Sequence, residues 1–182
     1  MTRIPVLSRE DMNVEQQRVH DAVKASTGRV GKGPSVGYAY SPELWELHNA
    51  SSLHLLDCAL TPAQVRIAAL LTVRHWKAAY PWSAQAASAL SAGLDLSVVE
   101  AINAGRQPEF ADKADETVHT VARELLATGT LGNDSFEAAK STIGYAGLAD
   151  VIGTIGHFSA TAMMANAVGA EAPADAPSFL KA

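Results

Sequence analysis

The sequence predicts an all-α protein, and three observations carry that prediction. Almost half of the 182 residues, 48%, are apolar, alanine is abundant, and runs of β-branched residues are few. Ser41-Pro42 and Thr61-Pro62 are helix-start signals, because a hydroxyl can cap a helix and proline is tolerated at the first helical position. No stretch alternates apolar and polar residues as a half-buried strand does.

The most apolar and most regularly patterned stretch is 61–93. It predicts a helix from Pro62 to about Ala79, whose middle, 67–73, is apolar on nearly every side and is therefore typical of a buried central helix. Tyr80-Pro81-Trp82 is expected to break the chain. A second helix is predicted over 83–91, with Gly93 as its left-handed cap.

Periodicity and capping residues predict six further helices. Their expected bounds are about 14–24 or 14–26, 42–59, 98–103, 112–127, 133–143 and 148–168. Residues 2–12 are expected to form an extended arm, and 171–182 a C-terminal tail. The glycine-rich stretch 27–36 lacks the residue order of a phosphate-binding loop, so we expect a loop that is solvated or covers a substrate. The whole chain, 1–182, is expected to form one domain.

Charge and cysteine content argue against several classes of protein. The net charge of −5 argues against a nucleic-acid surface and against an anionic-membrane surface. The single cysteine, Cys58, excludes an intramolecular disulfide framework and fits a reducing compartment. No secretory signal follows Met1, so a cytoplasmic location is expected. The apolar stretch 142–172 is interrupted by Asp150 and His157, which favours a packed helix over a membrane span.

Short motifs occur along the chain in a specific order and spacing. They are Arg3-Ile4-Pro5, Gly33-Pro34, Ser41-Pro42-Glu43-Leu44, Arg74-His75-Trp76, Tyr80-x-Trp82, Ala92-Gly93-Leu94, Ala104-Gly105-Arg106 and Ile155-Gly156 followed by Asn166. In this order the chain, over roughly 3–170, resembles the carboxymuconolactone decarboxylase-like family. The resemblance implies the all-helical alkylhydroperoxidase D-like fold, a small-molecule substrate, and assembly of identical chains into dimers, trimers or hexamers.

The resemblance also implies where the reactive groups of the family would stand, and here each is replaced. Peroxidase members carry Cys-x-x-Cys and a following histidine, and decarboxylase-like members keep Glu-Trp-x-x-His. Aligned on Trp82, the first cysteine position is Ala78, the glutamate is Pro81 and the histidine is Gln85, while the glutamate of the preceding helix is Arg66. Because a dithiol peroxidase needs a thiolate and a second sulfur, peroxidase chemistry is not expected.

Two of the replacing residues are candidate ligand-binding groups. Arg66 is a permanent cation on an otherwise apolar helix, and it either clamps a substrate carboxylate or reaches solvent or an acid of another subunit. Gln85 cannot move a proton at working pH, so it either orients substrate or satisfies a backbone group.

Two histidines are candidates for proton transfer. His157 follows Gly156 where the family usually has an aromatic residue, and it either supplies the base that position 85 lacks or is a core histidine bonded to a carbonyl. His75 either faces the pocket or an interface, or packs structurally. Tyr80 and Trp82 are expected to line the cavity, where rings more often pack than react.

No cofactor or metal is expected. His54 and Cys58 are four residues apart on one predicted helix, but no third ligand has matching spacing. The leading hypothesis is an enzyme of the carboxymuconolactone decarboxylase-like group that acts on a small carboxylated or lactone-type metabolite through an altered site. The alternative is a catalytically silent relative that binds a small molecule or serves as a structural oligomer.

Overall fold

The structure, a computed structural model, describes residues 2–181, which form nine α-helices and no β-strand. The helices are α1 (Val14–Ser26), α2 (Ser35–Tyr38), α3 (Pro42–His54), α4 (Pro62–His75), α5 (Ala79–Ser91), α6 (Leu96–Asn103), α7 (Lys113–Thr128), α8 (Asn133–Thr142) and α9 (Gly144–Val168). One turn of 3-10 helix at Arg9–Asp11 precedes α1. The all-α prediction is confirmed, and the alkylhydroperoxidase D-like arrangement stays a prediction.

Helix α4 lies at the centre of the core, as its sequence predicts. It packs against α5, α7 and α9, and its residues 67–70 are 0% exposed. Its first turn is closed by a reciprocal cap: the Gln64 N–H donates to the Thr61 hydroxyl over 3.2 Å, and the Thr61 N–H donates to the Gln64 side chain over 3.0 Å. This cap satisfies two of the backbone donors that a helix start leaves unpaired.

The break between α4 and α5 lies earlier than the sequence indicates. Helix α4 ends at His75 rather than near Ala79, and Lys77 adopts a left-handed conformation with φ of 52°. Helix α5 already begins at Ala79, so the prediction that Tyr80-Pro81-Trp82 breaks the chain is wrong. Pro81 is the third residue of α5, where its missing N–H would have had no intrahelical acceptor.

Two other helix boundaries differ from the predicted ones. Helix α3 ends at His54 instead of near residue 59, and the turn after it is held by Asp150, whose carboxylate accepts the Ala59 N–H over 2.8 Å. Helix α2 occupies the end of the stretch that was predicted to be entirely loop.

The C-terminal segment is not a free tail. Ser178 is 5% exposed, and its hydroxyl accepts hydrogen bonds from Trp82 Nε1 over 3.3 Å and from Asn103 Nδ2 over 3.4 Å. Asn103 also donates to the main-chain oxygen of Phe179, and Lys181 pairs with Glu100 over 2.7 Å. Residues 178–181 therefore fasten the chain end to α5 and α6, which corrects the prediction of a tail.

Helix α9 is 25 residues long and begins at Gly144, about four residues before the predicted start. One face packs into the core, where Val151, Thr154 and Ala162 are 0% exposed. None of the helices in the described part of the chain has both the length and the hydropathy that crossing a membrane requires.

Candidate functional site

A cavity of about 350 Å³ lies between the glycine-rich loop 27–34 and helices α2, α3, α5 and α9. The loop brings cations, α3 and α9 each bring an imidazole, α2 brings a phenol, and α5 brings an amide and a second phenol. Aromatic rings of Trp45, Tyr80 and Phe158 supply apolar wall. A volume of this size suits a small organic ligand.

The charge around the cavity is positive. Arg29 and Lys32, both exposed, line it from the loop, and no aspartate or glutamate lines it. Arg66 lies immediately behind the lining residue Gln85. Within residues 2–181, none of these three cations forms an ion pair with a carboxylate.

Arg66 and Gln85 form one polar unit. Arg66 Nη1 donates to Gln85 Oε1 over 2.7 Å, and Gln85 is 4% exposed. Because Oε1 is taken by the guanidinium, the amide presents its NH₂ group as the donor. Burial, and then the charge of Arg29, lower the pKa of Arg66 below its ordinary value, although the guanidinium stays protonated. The two arginines therefore repel each other across the site.

Two histidines form a stacked pair in the wall. The rings of His48 and His157 lie 4.1 Å apart with an interplanar angle of 8°, and the ring of Tyr38 stacks on the other side of His48 at 4.3 Å. The Thr161 hydroxyl donates to the main-chain oxygen of His157 over 2.9 Å and lies 3.2 Å from His48 Nε2. Since a hydroxyl has one proton, this assigns the proton of His48 to Nε2 and leaves its Nδ1 as an acceptor.

Both imidazoles are weak bases. Burial, then the neighbouring His48, Arg29 and Arg66, lower the pKa of His157 to about 3. Burial and then Arg29 lower the pKa of His48 to about 4. The pair is therefore uncharged at neutral pH, which is what permits two imidazoles to stack face to face.

Two buried polar atoms in this wall have no hydrogen-bond partner within the described chain. They are His157 Nδ1 and the Tyr38 hydroxyl. Burial raises the pKa of Tyr38 to about 12, so the phenol keeps its proton. Each unpaired buried polar atom lowers the stability of the folded chain.

The loop is seated on α5 through one glycine. Gly33 has φ of 61°, a conformation that favours glycine, and a Cβ at this position would overlap the ring of Tyr80. Burial raises the pKa of Tyr80, so this phenol is also neutral at working pH. Gly33 thus lets the loop that carries Arg29 and Lys32 lie directly against the ring of Tyr80.

The six residues predicted for the site fall into two groups. Gln85, Tyr80 and His157 line the cavity, and Arg66 reaches it through Gln85. Trp82 does not line it, contrary to expectation: it is 0% exposed in the core, and its Nε1–H donates to Ser178. His75 does not line it either, because it lies exposed at the end of α4 with its ring edge-on to Trp76 at 5.2 Å.

The sequence analysis assigned none of Arg29, Lys32, Tyr38 and His48 to the site, although all four line the cavity. A signal existed for Arg29, because a cation between Gly28 and Gly31 in a surface loop is well placed to meet an anion. The described residues contain no group of three or more histidine, cysteine or acidic side chains that could hold a metal, and His54 instead bonds to Asp150 over 2.8 Å.

Neither protein-family models nor curated proteins give a match to this chain. Membership of the carboxymuconolactone decarboxylase-like family therefore stays a prediction that rests on the motifs.

Proposed function

We propose that this chain binds a small carboxylated molecule in the cavity and, as a member of the carboxymuconolactone decarboxylase-like family, acts on it. One observation carries the proposal: Arg29, Lys32 and Arg66 surround the cavity without a neutralising carboxylate among residues 2–181. Arg66 is half-buried, and holding it near the exposed cations Arg29 and Lys32 costs free energy. A bound anion removes that cost, so the site favours a carboxylate over a neutral molecule of the same shape.

The rest of the lining favours a compact ligand with an apolar part. The cavity of about 350 Å³ lies at the small end of the range for ligand pockets. Rings of Trp45 and Phe158 would contact the body of the ligand, while the amide of Gln85 and the guanidinium of Arg29 would donate to its carboxylate.

The proposed reaction is loss of CO₂ from a lactone acid. The bond between the carboxylate and its neighbouring carbon breaks, its electron pair moves into the lactone carbonyl to form an enolate, and a proton then adds to carbon. A cation at the enolate oxygen lowers the barrier, whereas a cation that stays on the leaving carboxylate opposes the reaction. We therefore assign Arg66, which lies behind the lining residue Gln85, to electrostatic stabilisation of the anion in the cavity, His157 to proton transfer, and Gln85 and Tyr80 to orientation of the substrate.

Ligand binding would also change the basicity of His157. Arg29 and Arg66 are among the causes that lower the pKa of His157. A carboxylate next to these arginines offsets their charge and raises that pKa. The imidazole is then a stronger base when the substrate is present, although burial still keeps its pKa low.

A second candidate is a binding protein without turnover. The low pKa of both His48 and His157 favours it, because imidazoles with pKa of about 3 and about 4 are poor general bases at neutral pH. In this case the chain keeps its affinity for small carboxylates but releases no CO₂.

Calorimetric titration with benzoate, cyclohexanecarboxylate and benzamide tests the binding proposal. We expect the two carboxylates to bind more tightly than benzamide, which has the shape of benzoate without its charge. Arg66→Met should weaken benzoate binding at least about tenfold, equivalent to ~1.4 kcal/mol. Arg106→Met, which removes an exposed arginine outside the cavity, is the matched control. Equal binding of benzoate and benzamide, or binding of neither carboxylate, would refute the proposal.

Release of CO₂ from a carboxylated γ-lactone separates the two candidates. The enzyme predicts release that falls in both Arg66→Ala and His157→Ala. Turnover unchanged in both variants contradicts the assigned mechanism, and binding without release supports the second candidate.

The proposal also includes assembly with identical chains and a cytoplasmic location. Assembly with identical chains is implied by the family. The single cysteine is the reason for proposing the cytoplasm as the location.

A further inference from the structure

Helix α9 carries an exposed stripe without a single charged side chain. It consists of Tyr145, Ala149, Ile152, Gly156, Ala160, Met163 and Ala167, all of them exposed. Tyr145 is 65% exposed, Ile152 53% and Met163 47%. A surface helix normally presents polar or charged residues on its outer face. This apolar stripe runs nearly the whole length of the longest helix.

The stripe is narrow and straight. At about 100° of rotation per residue, all seven positions lie within about 40° of the direction of Gly156. They lie opposite the face that Thr154, Phe158 and Ala165 bury in the core. Positions 145, 156 and 167 are separated by eleven residues, a spacing that keeps a helical stripe almost parallel to the helix axis. A second helix can therefore follow it from end to end.

The spacing is the same in both directions from Gly156. Position 145 mirrors 167, 149 mirrors 163, and 152 mirrors 160. In each pair one residue is large and the other is alanine: Tyr145 with Ala167, Met163 with Ala149, and Ile152 with Ala160. Two copies of the helix placed antiparallel with Gly156 opposite Gly156 would set every large side chain against a small one. Such self-complementarity is what a two-fold interface requires.

We infer that two copies of this chain pair through α9, antiparallel, across a two-fold axis at Gly156. A Cβ added at Gly156 or at Gly153 meets nothing within 4 Å in the single chain, so these glycines are not needed for packing inside it. At the axis, however, glycine permits the two backbones to approach closely. The inferred pairing thus explains two glycines in the middle of a helix, where each weakens helix formation.

An open groove beside the stripe completes the surface. Leu44 and Leu47 of α3, 47% and 70% exposed, line it together with Met163 and Ala167 of α9. Under the inferred symmetry, Ala167 faces the end of the second copy's helix at Tyr145, so that aromatic ring enters the groove. The stripe is about 33 Å long and α3 adds about 20 Å, so strips about 10 Å wide give roughly 1,000 Å² for two copies. That area reaches the lower bound of a specific interface.

The pairing gives a surface to the assembly with identical chains proposed above, and it is independent of the proposed ligand and reaction, because none of the seven stripe residues lines the cavity. Its test uses the mass of the full chain in solution, measured by light scattering after size-exclusion chromatography over a range of concentrations. The wild-type chain should give twice its 19.1 kDa, or an even multiple of it. Gly156→Arg should halve that mass, since two cations would meet at the axis.

Folding of the variant can be separated from pairing. Arginine is a better helix former than glycine, so Gly156→Arg should keep the helical circular dichroism of the wild type. Ala127→Arg places the same charge on an exposed position of α7 and should leave the mass unchanged. A wild-type mass of 19.1 kDa at all concentrations, or a mass that Gly156→Arg leaves unchanged, overturns the pairing.

Disulfide trapping tests the antiparallel register. In a Cys58→Ser background, a mixture of Ile152→Cys and Ala160→Cys chains should give the mixed cross-linked dimer, because these positions face each other. Neither variant alone should cross-link efficiently. Efficient cross-linking of Ile152→Cys to itself would instead indicate parallel helices and overturn the proposed register.

Discussion

The stacked pair of His48 and His157 makes the stability of this protein depend on pH in a calculable way. Burial and nearby cations lower the pKa of His157 to about 3 and that of His48 to about 4. In the unfolded chain both return to an ordinary value of about 6.5. As the pH falls below about 6.5, the unfolded state takes up protons that the native state cannot, so stability decreases with acidity until the native pKa values are reached.

The size of the effect follows from the same values. Between pH ~7 and pH ~5 an unfolded imidazole becomes mostly protonated, while a native one with a pKa of about 3 or about 4 stays neutral. Each histidine then lowers the free energy of unfolding by about 2 kcal/mol, and the pair by about 4 kcal/mol. That is a large part of the 5–15 kcal/mol, roughly, that stabilises a typical domain.

His157→Phe isolates one half of the pair. Phenylalanine keeps a ring for stacking on His48 and removes a nitrogen, Nδ1, that is buried without a partner in the described chain. Between pH ~7 and pH ~5, we expect the free energy of unfolding of the variant to rise by about 2 kcal/mol relative to that of the wild type. Urea denaturation at a series of pH values measures this difference, in which the titration of unrelated carboxylates cancels.

His75→Gln is the matched control, because it removes an exposed imidazole that lies outside the cavity. Its stability should follow that of the wild type at every pH. If His157→Phe also follows the wild type within about 0.5 kcal/mol, the imidazole of His157 is not held neutral by its surroundings, and the reasoning about the stacked pair is wrong.

Three other predictions concern parts of the fold that support the site. Thr61→Ala removes the cap of α4 and should lower the free energy of unfolding by about 1 kcal/mol, whereas Thr61→Ser should restore most of it; equal stability of the two would contradict the role of the cap. Gly33→Ala should lower the free energy of unfolding by about 1–2 kcal/mol, because alanine is disfavoured in a left-handed backbone. The new Cβ should also displace the loop from Tyr80 and so weaken benzoate binding. Unchanged affinity would show that the loop does not position the cations. Deletion of residues 177–182 should lower the melting temperature, since the indole N–H of Trp82 loses its buried partner, and an unchanged temperature would mean that the segment is not fastened.

Helices with strong local signals were predictable from the sequence. The Thr61-Pro62 start acts over three or four residues, and the structure has a helix that begins at Pro62. The junction of α4 and α5 was mispredicted because Pro81 looks like a break. Whether a proline ends a helix or stands in its first turn depends on how the preceding residues pack, and here Ala78 is drawn into the core at 0% exposure.

The error at the junction also explains the error at Trp82. Once α5 begins at Ala79, Trp82, Ala86 and Ala89 share the face that the core buries, whereas Tyr80 and Gln85 lie toward the cavity. A helix that began at residue 83 would have left Trp82 free to turn into the cavity. The predicted position of Trp82 was therefore wrong because the predicted start of α5 was wrong.

The sequence by itself determined that the protein is helical and that α4 is its buried centre. These are properties of composition and of periodicity. Only the tertiary structure decided that Arg29, His48, Gln85 and His157, from four separate segments, meet around one cavity. The reason is that the pKa of an imidazole and the electrostatic effect of a cation depend on burial and on neighbours in space. No local pattern along the chain contains that information.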